Sequence, residues 1–165
     1  MKTRIVIFCT LFVFGIGVLL WPVSCIVLEN LDTQQIIYAQ PMKPEDELTI
    51  GWVHSVEQLP WEEVFRIEAG KLYMDPTRFK SFGAGVPSAT AGKSKMEDGW
   101  IVYYDLHQLM PELTYSISKR GRHVLTYRRQ TIALYEALPD TTPVRVSARE
   151  LNSFRLLQLL FLPKL

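Results

Sequence analysis

The chain has 165 residues, 48% hydrophobic and 21% charged, with a formal net charge of +1. That balance excludes a disordered chain, a collagen-like repeat and a multi-span membrane protein. Setting aside Lys2 and Arg4 leaves the remainder with one net negative charge, which excludes a strongly basic nucleic-acid-binding face.

Residues 5–28 carry no charged side chain. At about 1.5 Å per residue a helix of that length reaches roughly 36 Å, enough for a hydrocarbon core of about 30 Å. Lys2 and Arg4 precede the run, while Glu29 and Asp32 follow it. The positive-inside bias therefore predicts a short cytoplasmic start (1–4), a single transmembrane anchor (5–28) and everything later outside the cytoplasmic membrane. A cleaved signal peptide shares the basic start, but its apolar region is usually only about 7–15 residues. Cys25 follows Pro22, Val23 and Ser24, a poor match to a lipoprotein acylation box, and reads as an ordinary thiol near the outer interface. No cysteine follows it, which excludes an exported disulfide framework and a Cys-rich zinc site.

Residues 29–47 are polar except for Ile36, Ile37 and Tyr38, and read as a linker holding one short strand. From Leu48 the period is two, with Leu48, Ile50, Trp52, His54 and Val56 on one face. Pro60 then predicts a turn over 58–61 and a return strand over 62–67. Glu68, Ala69, Gly70 and Lys71 read as a hairpin connection to a third strand at 72–74. Residues 75–99, with Pro76, Gly83, Gly85, Pro87, Gly92 and Gly99, read as one long loop, a natural place for a site. Strand patterns resume at 100–104, 113–118, 123–127, 131–135 and 144–147, with a helical turn at 105–109 and a tight turn at 119–122. The expected fold is all-β, an antiparallel sandwich or partly open barrel over 48–147, preceded by the transmembrane helix. The apolar tail, 148–165, fits a helix with Arg155 and Gln158 as a narrow polar stripe; it is too short to span a bilayer. It is free to pack on the domain, lie at the membrane interface or meet a partner helix.

Two catalytic motifs fail on inspection. Gly92-Lys93-Ser94 lacks the glycine of a P-loop, since Pro87 stands in its place, and Ser116 to Lys119 spells S-x-x-K without the companion elements of penicillin-recognising enzymes. The densest polar constellation is His54, Ser55, Glu57, Glu62 and Glu63. A four-residue turn at 58–61 would set Glu63 diagonally beside His54, where a buried imidazole and carboxylate satisfy each other. The same groups, His54 with Glu57 or Glu63, are what a metal site or a general base would use, and His54, His107 and His123 are what a three-histidine zinc site would need. Ser55 points away from His54, against a nucleophile pair. Neither a catalytic residue nor a metal ligand nor a cofactor is assigned. The candidate binding residues are His54, Ser55, Glu57, Glu63, Gly83, Gly85 and Pro87. Gly83 and Gly85 permit a tight turn or close backbone approach, and Pro87 stiffens the exit.

His54-Ser55-Val56-Glu57, Pro60, the Glu62/Glu63 pair with Phe65, the segment Phe82 to Pro87, and the Asp98-Gly99 turn together resemble the bacterial domain-of-unknown-function family 1850 over residues 36–147. The resemblance implies a small exported or membrane-anchored protein encoded beside TAXI-type TRAP transporters, which import organic acids. It implies a role as a membrane-tethered accessory or binding protein, with the TRAP membrane component or its solute-binding protein as partner. The alternative class is an envelope enzyme or metal-binding protein using His54 with Glu57 or Glu63.

Overall fold

The computed structural model describes residues 2–83 and 92–161, apart from the side chains of Arg4, Val6, Phe8 and Val13. In chain order the elements are α1 (Lys2–Leu20), β1 (Pro22–Asn30), β2 (Gln35–Pro41), β3 (Glu47–Val53), β4 (Pro60–Glu68), β5 (Lys71–Phe79), β6 (Lys93–Glu97), β7 (Trp100–Tyr104), β8 (Gln108–Met110), β9 (Glu112–Ser116), β10 (Val124–Tyr127), β11 (Gln130–Ala133), α2 (Leu134–Ala137), β12 (Pro143–Asn152) and α3 (Ser153–Phe161). Among the described residues the strands form two sheets, a smaller one ordered β2-β1-β12-β9 and a larger one ordered β11-β10-β3-β4-β5-β7-β6, with β8 also on β5. The pairings are antiparallel, and the two sheets do not merge into a closed barrel.

Both sheets bury one face in a common core. Ile26, Leu28, Leu113, Val144 and Val146 come from the smaller sheet, and Leu48, Ile50, Phe65, Ile67 and Leu125 from the larger. The period of two read in residues 48–52 is the pleat of β3, whose Leu48 and Ile50 are buried. The hairpin over 68–71 forms as expected, with positive φ at both Ala69 (48°) and Gly70 (74°), the twist that suits two antiparallel strands.

The N-terminal third is divided differently from the sequence expectation. The helix stops at Leu20, and Pro22–Asn30 is a strand rather than the end of an anchor. Among the described residues no helix is long and apolar enough to cross a membrane. β1 pairs with β12 along its whole length and with β2 on its other side, so residues 22–41 belong to the domain and are not a linker. Cys25 to Leu28 are completely buried because both faces of β1 are covered. Ile26 and Leu28 face the main core, while Cys25 and Val27 lie with Ala39 under Leu156 of α3. Of the tail, residues 148–152 continue β12 and Ser153–Phe161 is a helix that packs on the domain, while residues 162–165 lie outside the described residues. Burial also pushes the Cys25 thiol up to about 11, so it stays protonated and unreactive.

Three further differences have local causes. β5 runs through Pro76 because residues 75–76 fall at a register shift opposite β4 and between the partners β8 and β7, where no ladder N–H is lost. The 75–99 segment thus has strands at both ends. The helical turn expected at 105–109 is absent: Asp105 and His107 take positive φ and lead into β8. The strand expected over 131–135 ends at Ala133, where buried Leu134 opens the short α2.

Candidate functional site

Register builds a row of rings across the larger sheet. Trp52 of β3 stands opposite Trp61 of β4, and Trp61 opposite Phe79 of β5. His123 precedes Val124, which pairs with Gly51, so its ring falls beside Trp52. Ring centroids are 6.3 Å apart for His123 and Trp52, 5.5 Å for Trp52 and Trp61, and 5.0 Å for Trp61 and Phe79. His54, just past the end of β3, stacks on Trp61 at 5.6 Å. Four rings, His54, Trp61, Trp52 and His123, therefore lie nearly parallel; such contacts add about 0.5–1.5 kcal/mol each beyond burial. The Trp61 indole N–H donates to Thr77 Oγ1 at 2.9 Å, and that hydroxyl donates to the Glu62 carbonyl, which fixes the ring in its plane.

A cleft of about 410 Å³ opens over this row, lined by Trp52, Trp61, His54, Ser55, Arg120 and His123, with Gly121 and Ser118 behind them. No carboxylate is among its lining residues, and the Arg120 guanidinium gives it a positive charge. Arg120 Nη2 donates to the Ser55 carbonyl at 3.4 Å, which holds it over the rim. Both imidazoles are set in the same way. The Glu57 backbone N–H donates to His54 Nδ1 at 3.3 Å, and the Ser118 N–H donates to His123 Nδ1 at 3.2 Å. In each neutral ring the proton must then sit on Nε2. Burial holds the His123 imidazole below its ordinary value, so at neutral pH it is such a donor. Gly121 completes the floor. A Cβ there would lie 2.7 Å from His123 Cε1 and 2.8 Å from Ser118 Oγ, so only glycine lets that ring and hydroxyl approach.

The structure brings together only some of the residues singled out in the sequence. His54 and Ser55 line the cleft. Glu57 turns the other way, accepting a long hydrogen bond from Ser81 Oγ and pressing its carboxyl against Gly83, where a side chain would collide with it. Gly85 and Pro87 lie outside the described residues. Glu63 is not the partner of His54. β3 ends at Val53, residues 54–59 form the connection, and Glu63 pairs in register with Ile50. Its carboxylate points into the core and accepts a 2.7 Å bond from the Tyr115 hydroxyl across the two sheets. His107 stacks on Tyr73 and faces Glu68, and does not line the cleft. Among the described residues no three His, Cys, Asp or Glu side chains are placed to hold a metal.

The Glu63–Tyr115 pair carries a testable sign. Burial raises the Glu63 carboxyl above its usual value, and the Tyr115 bond works against that rise. A group with a raised folded value adds stability at low pH and loses it as pH climbs through that value. Tyr115→Phe removes the donor, so it is expected to cost about 1–3 kcal/mol at neutral pH. Denaturant titration should show the cost shrinking as pH falls through the raised Glu63 value and levelling off by about pH 4, where Glu63 is largely protonated in the folded and unfolded states alike.

Sequence reasoning missed Trp52, Trp61 and Arg120 as site residues, and weighed His123 only as a zinc ligand. Their one available signal was the pairing of two tryptophans across a Pro-marked turn, which becomes a contact only with the register known.

Fold and cleft together define a small antiparallel β domain with an aromatic-floored, positively charged cleft. A family model described as a domain of unknown function, DUF1850, matches residues 48–134, more than half of the chain, and the chain belongs to that family. No curated protein and no solved structure matches it. The matched segment contains the ring row and Arg120 but stops short of β1, β2 and β12.

Proposed function

We propose that this chain is a membrane-tethered extracytoplasmic binding protein whose cleft holds a small organic carboxylate, in the service of a TRAP-type organic-acid transporter. The observation that carries the reading is the cleft itself: one guanidinium, two imidazoles with free Nε2 sides among the described residues, an aromatic floor and no carboxylate in the lining. Such a lining favours an anion with an apolar body, the guanidinium and Nε2–H groups meeting the carboxylate and the rings meeting the carbon skeleton. α1 supports the tether. At about 1.5 Å per residue it measures roughly 28 Å, slightly under a hydrocarbon core of about 30 Å. Lys2 at its first position and the exposed Trp21 just past its end are groups that reach the headgroups, and modest bilayer thinning closes the difference.

The test is a titration of the purified full chain with aliphatic and aromatic monocarboxylates, read by tryptophan fluorescence, to which Trp52 and Trp61 respond directly. Saturable binding is expected, weakened on the order of tenfold by Arg120→Ala, the scale of one charge-assisted hydrogen bond. Binding should tighten as the pH falls through the lowered His123 value, since a protonated imidazole attracts the anion. No saturable response to any member of the series, in a protein that melts cooperatively, would falsify the ligand class.

A further inference from the structure

We infer that α3 lies in the plane of the bilayer interface and seats the domain on the membrane with its cleft facing away. This rests on the tether reading above and adds a surface and an orientation to it. At 100° per residue the nine residues of α3 divide into three sectors. Leu156 and Leu159 pack on the outer face of the smaller sheet. Arg155 and Gln158 sit side by side and bond to one another. Phe154, Leu157, Leu160 and Phe161 fall within one arc of about 120° and are exposed, Phe161 by 86% and Phe154 by 50%. The helix thus has two apolar faces, and only one is used by the domain.

What covers the second is indicated by the joint with α1. The Trp21 carbonyl accepts hydrogen bonds from both the backbone N–H (2.9 Å) and the hydroxyl (3.0 Å) of Ser153. Pro22 pairs with Asn152 in the sheet directly beyond. The end of α1 and the start of α3 are therefore one fixed point, and the exposed apolar surface of α3 continues that of α1, with Trp21 68% exposed between them. A bilayer that holds α1 has its headgroup layer at this joint. Trp21 has the amphipathic ring that this layer favours, and a helix of roughly 14 Å suits lying in the layer rather than crossing it. Lipid is the occupant that this continuity selects.

Orientation follows from β1. Its nine residues carry the sheet about 26 Å from the joint to Asn30. There Leu31 bonds Pro143, and Thr142 bonds Ile117, next to Ser118 of the cleft. The cleft consequently opens at the end of the smaller sheet opposite the membrane joint, within reach of a soluble partner.

The experiment uses the full chain with Cys9→Ser, reconstituted in vesicles of phosphatidylcholine and phosphatidylglycerol. A fluorophore is attached to one new cysteine at a time, at Leu157, at Leu11 in α1 or at Ser55 on the cleft; buried Cys25 stays unlabelled. Brominated lipids should quench emission at positions 157 and 11, and aqueous iodide should quench it at 55. Quenching of 157 by iodide alone, with 11 still quenched by lipid, would overturn the seating of α3 and leave the tether standing. Protection of 157 from both quenchers would mean that protein covers the face, a second copy or a transporter subunit, and would overturn it too. If lipid reaches neither 157 nor 11, the tether itself is wrong.

Discussion

Removal of residues 1–28 is expected to abolish folding, whereas removal of residues 1–20 should leave a cooperatively folded β domain. β1 is the second strand of the smaller sheet and is hydrogen-bonded on both sides, to β2 and to all of β12. Its Ile26, Val27 and Leu28 are fully buried. Burying three such side chains contributes about 5–9 kcal/mol, most of a typical total stability of about 5–15 kcal/mol. Without β1, α3 also loses Cys25 and Val27, on which Leu156 rests. By contrast, α1 meets the domain chiefly through α3, beside the joint where the Trp21 carbonyl accepts from Ser153. Circular dichroism and thermal melting of the two truncations decide the matter. A sharp melt from a chain starting at residue 29, within a few degrees of the longer one, would show that β1 is dispensable.

That expectation departs from the boundary at residue 48 drawn on sequence pattern, for a physical reason. A strand covered on both faces has no alternation to display and reads as a continuous apolar run. Here such a strand follows an apolar helix with only Trp21 between them, so helix and strand merged into one uncharged segment. β3 was legible because it is half-covered and alternates. β7 was legible at both of its ends because Gly99 turns the chain before it and Asp105 after it, at positive φ. β5 was cut short at Pro76 because a proline argues against a ladder, and the compensating register shift lies on the neighbouring strand, where the local sequence does not reveal it.

The site was legible in composition more than in arrangement. His54 and Ser55 do line the cleft, and Glu63 does share the inward face of Leu48, Ile50 and Trp52, since parity survives any even change of register. Its partner did not follow, because the connection begins at His54 rather than Gln58. His54 spends Nδ1 on closing that connection, a role that needs the loop's path rather than its residue types. Tyr115 lies 52 residues from Glu63, Arg120 enters from a turn read only as a turn, and His123, read as the start of a strand and weighed only as a zinc ligand, stands just past it. These contacts arise from packing the β9–β10 connection against the end of β3, where the Gly121 carbonyl accepts from the Val53 N–H at 2.7 Å.

Asp46→Ala is expected to cost about 2–3 kcal/mol at neutral pH, lowering the melting temperature by roughly 5–10 °C. Asp46 Oδ2 accepts from the Tyr127 hydroxyl, Arg128 Nε and Arg128 Nη2, each at 2.6 Å, and from the Lys43 N–H at 3.0 Å. It thereby ties the approach to β3 to the end of β10, at the opposite end of that strand pair from the cleft. Alanine leaves the Tyr127 hydroxyl its second acceptor, the Pro41 carbonyl, but leaves Arg128 unpaired beside a buried ring. Burial acts to raise the Asp46 carboxyl, yet the bonds from Tyr127, Arg128 and Lys43 outweigh it and hold the group below the ordinary carboxylate range. A lowered folded value means that the contribution is complete above about pH 4 and is lost as pH falls through the lowered value. Paired urea titrations of the native chain and the variant from pH 7 to pH 2.5 should therefore converge at the acid end. Asp46→Asn, which keeps an acceptor for Lys43 and Tyr127 but not the charge, should fall between them at neutral pH. A stability gap that stays constant down to pH 2.5 would mean that Asp46 acts through packing alone, and that the charged bonds to Arg128 contribute nothing to holding β10 in register with β3.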